Sequence, residues 1–267
     1  MQRYMVRPGH AARLEDADPN DTSGFNGVKD DGRKRLEKLT ARLEELQELL
    51  CAEAKHSLLV VLQGMDSAGK DGTIRRVFEG VNPQGVRVAR FRVPTVLEDH
   101  HDFLWRVHEQ VPAKGEIVLF NRSHYEDVLV TRVHGLISKP VWERRYREIN
   151  EFERTLTEEG TTILKFFLHI GPGEQKRRLE ERLEDPTKHW KFRESDVQER
   201  ERWPAYMEAY EEAITRTSTA WAPWYVVPSN RKWFRDLFVS EQIVKTLEGF
   251  HMRYPPLPVE LRGARIR

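Results

Sequence analysis

The stretch Gly64-Met65-Asp66-Ser67-Ala68-Gly69-Lys70-Asp71-Gly72-Thr73 leaves the chain around it the fewest options. It follows directly on the apolar run Leu58–Gln63 and leads into Ile74, Arg75, Arg76, Val77 and Phe78 at helical spacing. That is the order strand, glycine loop, helix. Gly64 and Gly69 let the backbone turn sharply so that successive N–H groups converge on one point. The following helix adds its positive N-terminal dipole, and Lys70 adds a mobile full charge. The spacing G-x4-G-K is met in full, and Gly64, Ser67, Ala68, Gly69, Lys70, Asp71, Gly72 and Thr73 become candidates for holding phosphate. Position 71 departs from the usual pattern. A Ser or Thr there normally reaches a magnesium ion, but this chain has Asp71, with Thr73 two residues on. Asp66, inside the loop, is unfavourable beside phosphates unless a cation lies between them. It therefore reads as a magnesium ligand, as a base toward an acceptor phosphate, or as a helix cap.

Around the loop the pattern is that of alternating strands and helices. Leu58–Gln63, Val86–Val93, Ile117–Phe120, Thr162–Ile170 and Trp224–Val227 are short apolar runs separated by amphipathic stretches. This implies right-handed crossovers and a doubly wound parallel sheet of about five strands. Between Asp31 and His56, Leu36, Leu39, Leu43, Leu46 and Leu50 form an apolar seam on a charged helix. The seam suits packing on the domain's own sheet, with an oligomer contact as the alternative. Residues 1–31 read as an extended arm on the surface or on a neighbouring subunit, 32–250 as one domain, and 251–267 as a tail.

A second polar cluster, Asn121-Arg122-Ser123-His124-Tyr125-Glu126-Asp127, follows the run EIVLF, at the edge where open parallel sheets bind ligands. Arg122 suits a bidentate phosphate clamp. Glu126 and Asp127 suit magnesium, acceptor recognition or helix capping. His124 could carry a phosphoryl group covalently, but direct transfer makes that unnecessary. Lys176, Arg177, Arg178, Arg182, Lys188, His189, Lys191 and Arg193 gather around Asp185-Pro186. They form either a solvated helix face or a lid, at about 174–196, that closes over phosphates and excludes water.

The charge balance, 44 Lys plus Arg against 43 Asp plus Glu, gives a net +1, with no whole-molecule field for nucleic acid or an anionic membrane. Cys51 is the only cysteine, which excludes an internal disulfide framework and suits a reducing cytoplasm. There is neither a signal-peptide pattern nor an apolar run of about 18 residues, so neither secretion nor a membrane span is expected.

Taken together, GMDSAGKDGT, VNPQGVRVARFRVPT, FNRSHYEDV, RRLEERLEDPTKHWKF and APWYVVPSNRKWFRD resemble the polyphosphate kinase type 2 family over roughly residues 30 to 250. The resemblance implies an α/β P-loop kinase fold similar to thymidylate kinase, three layers with a helical lid. It also implies Mg2+ dependence, and reversible transfer between inorganic polyphosphate and adenine nucleotides in a cytoplasmic homo-oligomer, dimer or tetramer. Carried over residue by residue, it marks Lys70, Asp66 and Arg122 as catalytic. Arg178, Arg182, Lys188 and Lys191 match the lid, of which Arg178 and Arg182 are also marked as catalytic, neutralising transition-state charge, and Asn82 and Gly85 match an N-P-x-G segment near the nucleotide, which a tight turn would explain as well. Asn121 with His124-Tyr125-Glu126-Asp127 resembles the class accepting both AMP and ADP, which makes Asn121 and Glu126 candidate determinants of acceptor range.

On this reading Mg2+ is held by Asp66 and Asp127, and Arg122 fixes the acceptor's terminal phosphate. Two rivals stand beside it. An ATP-dependent nucleoside monophosphate kinase would normally have Ser or Thr at position 71, and a non-catalytic sensor would be expected to lack Lys70 or a carboxylate.

Overall fold

The computed structural model describes residues 2–259, so positions 260–267 of the expected tail lie outside the described residues. Five strands, β1 (Ser57–Gln63), β2 (Val86–Arg90), β3 (Ile117–Asn121), β4 (Thr161–His169) and β5 (Trp224–Pro228), form one sheet. Their order is β2-β3-β1-β4-β5, and every pair is parallel. Parallel neighbours need crossover connections that cover both faces, which is why β1 reads as an unbroken apolar run and is buried along its whole length.

The helices are α1 (Lys29–Glu53), α2 (Lys70–Val77), the single turns α3 (Val96–Asp99), α4 (Trp105–His108) and α5 (Val130–Val133), then α6 (Lys139–Glu158), α7 (Pro172–Glu184), α8 (Glu194–Glu201), α9 (Trp203–Thr217) and α10 (Lys232–Glu248). Against one face α10 touches β4, β5, α2 and α1, while α6 lies on β4 with α9 beside it. The result is three layers with helices on both sides of the sheet.

The leucine seam of α1 is fully enclosed: Leu36, Leu39, Leu43, Leu46 and Leu50 are all buried, and the helix lies along α10. The seam thus faces a helix of its own domain where the sheet itself was expected. β2 stops at Arg90, short of the expected Val93. Phe91 turns inward onto Phe120, the two rings 4.8 Å apart, and Arg106 Nη1 donates to the carbonyl of Arg92 at 2.8 Å. That carbonyl finds its partner off the sheet, and Pro94 follows.

The N-terminal arm closes the opposite edge of the sheet. Met5 pairs with Tyr225 in an antiparallel bridge, and Val6 N–H donates to the carbonyl of Trp224 at 2.8 Å. Further along, Asn230 N–H donates to Pro19 O at 3.0 Å. Covering an edge strand in this way removes a template for pairing with another chain. The other outcome of the topology is that β1, β3 and β4 end side by side, and their carboxyl ends carry the site.

Candidate active site

The loop after β1 is held in a conformation that needs its glycines. Gly64 and Gly69 have φ of 148° and 111°, and Ser67 sits at 64°. Side chains from distant elements take up the loop's carbonyls from behind. Arg178 Nη1 donates to Ser67 O at 2.9 Å and Ala68 O at 3.1 Å, Arg235 Nη1 to Ala68 O at 3.1 Å, and Gln175 Nε2 to Asp66 O at 3.1 Å. With these carbonyls engaged, the N–H groups and the start of α2 are what the loop offers to an anion. Lys70 Nζ donates to Gly64 O at 2.6 Å. Burial, and next the Arg122 charge, push its ammonium down to about 8, against the pull of Asp66, Glu126 and Asp71.

Arg122, one residue past β3, has φ of 64°, a costly value for a non-glycine residue and a frequent one at functional sites. Its guanidinium bridges two carboxylates: Nη2 to Asp66 Oδ1 at 3.0 Å and Nη1 to Glu126 Oε2 at 3.4 Å. Glu126, and to a lesser degree Asp66, hold Arg122 protonated, while burial raises the Glu126 carboxyl despite Arg122 and Lys70. Asn121 Nδ2 donates to Asp71 Oδ1 at 2.5 Å, tying the end of β3 to the first turn of α2. Tyr206 and Tyr210 of α9 flank this group. Burial raises both phenols; next come the hydrogen bond and charge of Glu199 at Tyr206 and the Glu126 charge at Tyr210, and Glu126 adds to Tyr206 more weakly.

The structure therefore brings Gly64–Gly72, Lys70, Asp66, Asn121, Arg122 and Glu126 together, and it corrects several other expectations. Asp127 faces away from the loop lysine: its carboxylate is 3.4 Å from both Arg106 Nη2 and Arg145 Nη1, which fits a structural ion cluster better than a shared magnesium. The Thr73 side chain is buried and donates to Asp236 at 3.2 Å, so it does not face phosphate. Asn82 accepts from Gln84 N–H at 3.0 Å and Gly85 packs against Gln47, both building the turn before β2. Arg178 is buried, bonded to the loop and also to Ser229 O and Asn230 O, so it is a strut and not a free lid cation. Lys188 pairs with Asp185 at 2.7 Å. Arg182 reaches Asp196 of α8 at 3.6 Å, and Lys191 lies over the Trp190 ring.

Four features escaped the sequence reading: Arg235, the tyrosine pair, Asp196, and a buried cluster under the site. Asp196 is raised by burial and then by the charge of Asp66, which places α8 beside the loop. In the cluster, Lys165 Nζ donates to Glu153 at 2.6 Å and to Tyr125 Oη at 3.0 Å, and His124 Nε2 is 3.2 Å from Glu153. His124, wholly buried there, is out of reach of a phosphoryl donor.

For magnesium the donor chemistry fits. Among the described residues no three His, Cys, Asp or Glu side chains gather as a protein-only cage. Mg2+, however, is commonly held by one or two carboxylates plus waters and substrate phosphates. Asp66 and Glu126 supply such carboxylates, and beside them Ser67 Oγ and Gln63 Oε1 are buried with no hydrogen-bond partner among the described residues.

A parallel sheet in this order, with a G-x4-G-K loop after its central strand, an arginine past the neighbouring strand and a helical cap, is the fold of a P-loop kinase. The family model described as polyphosphate kinase 2 (PPK2) matches residues 27–255, and the chain belongs to that family. It is 59% identical over 255 residues to the AMP/ADP-polyphosphate phosphotransferase of Meiothermus ruber, covering 96% of both chains. It is 42% identical over 249 residues to the ADP-polyphosphate phosphotransferase of Rhodopseudomonas palustris, covering 89% of this chain and 86% of that one. The crystal structure of polyphosphate kinase 2 from Arthrobacter aurescens TC1 superposes with a TM-score of 0.92 at 46% identity, covering 97% and 93% of the two chains. Among the described residues no helix is long and apolar enough to cross a membrane.

Proposed function

We propose that the chain transfers the terminal phosphate of inorganic polyphosphate reversibly to AMP and ADP, giving ADP and ATP. The observation that carries this reading is Arg122, held between Asp66 and Glu126 at the mouth of the Lys70 loop. One cation and two carboxylates there suit two phosphate-bearing substrates meeting end to end. The similarity to the Meiothermus ruber enzyme, named for both nucleotides, supports the wide acceptor range.

The loop N–H groups and Lys70 hold the phosphoryl group, and Arg122 turns toward the acceptor's terminal phosphate. An acceptor oxygen forms the new P–O bond while the bridging bond to the shortened polyphosphate breaks. Such transfer is catalysed by alignment and by neutralising charge on the equatorial oxygens, so no covalent enzyme intermediate is required. Asp66 and Glu126, in place of Asp66 and Asp127, would hold Mg2+, which neutralises phosphate charge when bound. The segment α7 to α8, with Arg182, Lys188 and Lys191, closes over the phosphates and excludes water. A cytoplasmic location accords with adenine nucleotide substrates and the lone Cys51, and a homo-oligomer with the family resemblance; light scattering tests the latter.

Luminescent ATP detection with purified protein, magnesium and long-chain polyphosphate tests the reaction. ATP from both AMP and ADP is the expected result. ATP from ADP alone would narrow the acceptor range, and activity only with ATP as donor to thymidine monophosphate would overturn the reading.

A further inference from the structure

From Leu58 to Leu62 β1 is apolar, and then Gln63, 1% exposed, places a carboxamide where the strand gives way to the phosphate loop. An apolar side chain of that size would fill the place with no polar group to satisfy, whereas a buried amide must find partners for two N–H donors and a carbonyl. Gln63 finds them only in part. Its Nε2 donates to Ser123 Oγ at 3.0 Å, while Oε1 is buried with no hydrogen-bond partner among the described residues. A buried acceptor left empty is destabilising, so the orientation of this amide is set by what its nitrogen engages.

What it engages is the turn that carries Glu126. Ser123, wholly buried, caps the turn His124–Val128: its Oγ accepts from Tyr125 N–H at 3.2 Å and its carbonyl from Glu126 N–H at 3.0 Å. Gln63 also reaches the Glu126 side chain. Burial raises that carboxyl, and Arg122, Lys70 and then a hydrogen bond from Gln63 pull it back. A carboxylate only accepts, so this bond uses the second N–H of Nε2. One amide thus joins the end of β1 to the cap of the turn and to its functional side chain. The other contact is looser, because Arg122 Nη1 stands 3.4 Å from Glu126 on a side chain that is 42% exposed.

We infer that Gln63 is a positioning residue for the transfer: its amide fixes the Glu126 carboxylate toward Arg122 and the phosphate loop and leaves its own carbonyl unpaired in doing so. The inference rests on the proposed reaction, to which Glu126 contributes. The neutrality of the amide is part of the role, since a carboxylate at position 63 would set two buried like charges against each other.

The test is a cycle of variants, Gln63→Leu and Gln63→Glu, each made alone and together with Glu126→Gln. Gln63→Leu removes the unpaired acceptor, so it should unfold in urea at or above the parent midpoint and yet lower kcat about tenfold. The KM for long-chain polyphosphate should stay within about twofold. Gln63→Glu, nearly equal in size to the parent residue, should lower kcat about a hundredfold and carries the test should Gln63→Leu fold poorly. Measured against Glu126→Gln alone, both losses should shrink to about threefold or less, because the carboxylate they displace is gone. Losses of equal size in the two backgrounds, or no loss in either, would overturn the inference and leave Gln63 a part of the fold only. Calorimetric titration of ADP in magnesium, without polyphosphate, repeats the cycle on a binding constant. The ADP Kd should rise about fivefold for Gln63→Leu in the parent and by less than about twofold beside Glu126→Gln. A parent protein without polyphosphate-dependent turnover would remove the proposed reaction, and the ADP cycle would still decide whether Gln63 places Glu126.

Discussion

The guanidinium of Arg235 fills the space into which a side chain on Gly69 would project. Gly69 is at φ 111°, and the cation beside it also holds the carbonyl of Ala68 at 3.1 Å. Gly69→Ala therefore meets two obstacles at once, an unfavourable backbone region and a buried cation bonded to Asp236 at 2.8 Å. The expected cost is about 1–3 kcal/mol of stability, seen as a lowered denaturation midpoint, together with a roughly hundredfold loss of turnover, about 2.7 kcal/mol at the transition state. Turnover near the parent level would mean that the loop rearranges freely and that Arg235 does not set its shape.

Glu126 and Asp127 are neighbours in sequence with opposite surroundings. Glu126 faces Arg122 and Lys70, while Asp127 faces Arg106 and Arg145. Glu126→Gln should leave the fold intact and reduce kcat by about 10²-fold or more, comparable to removing one transition-state contact. Asp127→Asn should chiefly lower stability, because it leaves two partly buried guanidiniums without their carboxylate. Steady-state kinetics and urea denaturation on both variants check this; the reverse pattern would restore Asp127 to the reaction and remove Glu126.

These two residues also show where sequence reading stops. The loop and the five strands were legible because their signals are local: fixed glycine spacing, and apolar runs long enough for one strand. Whether Asp127 or Glu126 turns toward Lys70 depends on the 3-10 turn His124–Val128, whose side chain directions no spacing rule supplies. Arg178 read as a lid cation because charge says nothing of direction; its four carbonyl partners come from two loops that meet only in the fold. Arg235 lies more than 160 positions from the glycine it packs against. One signal was present and unused, a lysine at position 165 inside the run TTILKFFL. A charge in a strand covered on both faces demands a partner, and the partner is Glu153.

That pair supports the turn carrying Glu126. Lys165 and Glu153 are both wholly buried, and between them they bond Tyr125, His124 and the carbonyl of Thr217. Lys165→Met leaves the Glu153 carboxylate without its lysine and should cost about 3–5 kcal/mol, whereas Lys165→Met with Glu153→Leu should recover much of that. If the cluster positions the turn, the double variant regains stability in urea denaturation but keeps a reduced kcat. Full recovery of both would show that the cluster serves stability alone.

Lys70 sets a pH dependence whose sign differs for folding and for binding. Its ammonium is at about 8 in the folded protein, against about 10.4 in an unfolded chain. Below pH 8 both states carry the proton, and the full cost of holding the charge in the loop is present. Between about 8 and 10.4 the unfolded chain binds more protons, so this group's contribution to stability rises with pH. Anion binding runs the other way. A neutral amine loses its attraction for phosphate, so affinity for tripolyphosphate should fall above pH 8 by up to about tenfold per pH unit. The ligand's own titration cancels in the ratio of parent to Lys70→Arg affinity, because the guanidinium keeps its charge throughout. Calorimetric titrations at pH 7, 8, 9 and 9.5 should show that ratio dropping through pH 8; a constant ratio would mean that Lys70 stays protonated in the loop, with Asp66, Glu126 and Asp71 outweighing burial.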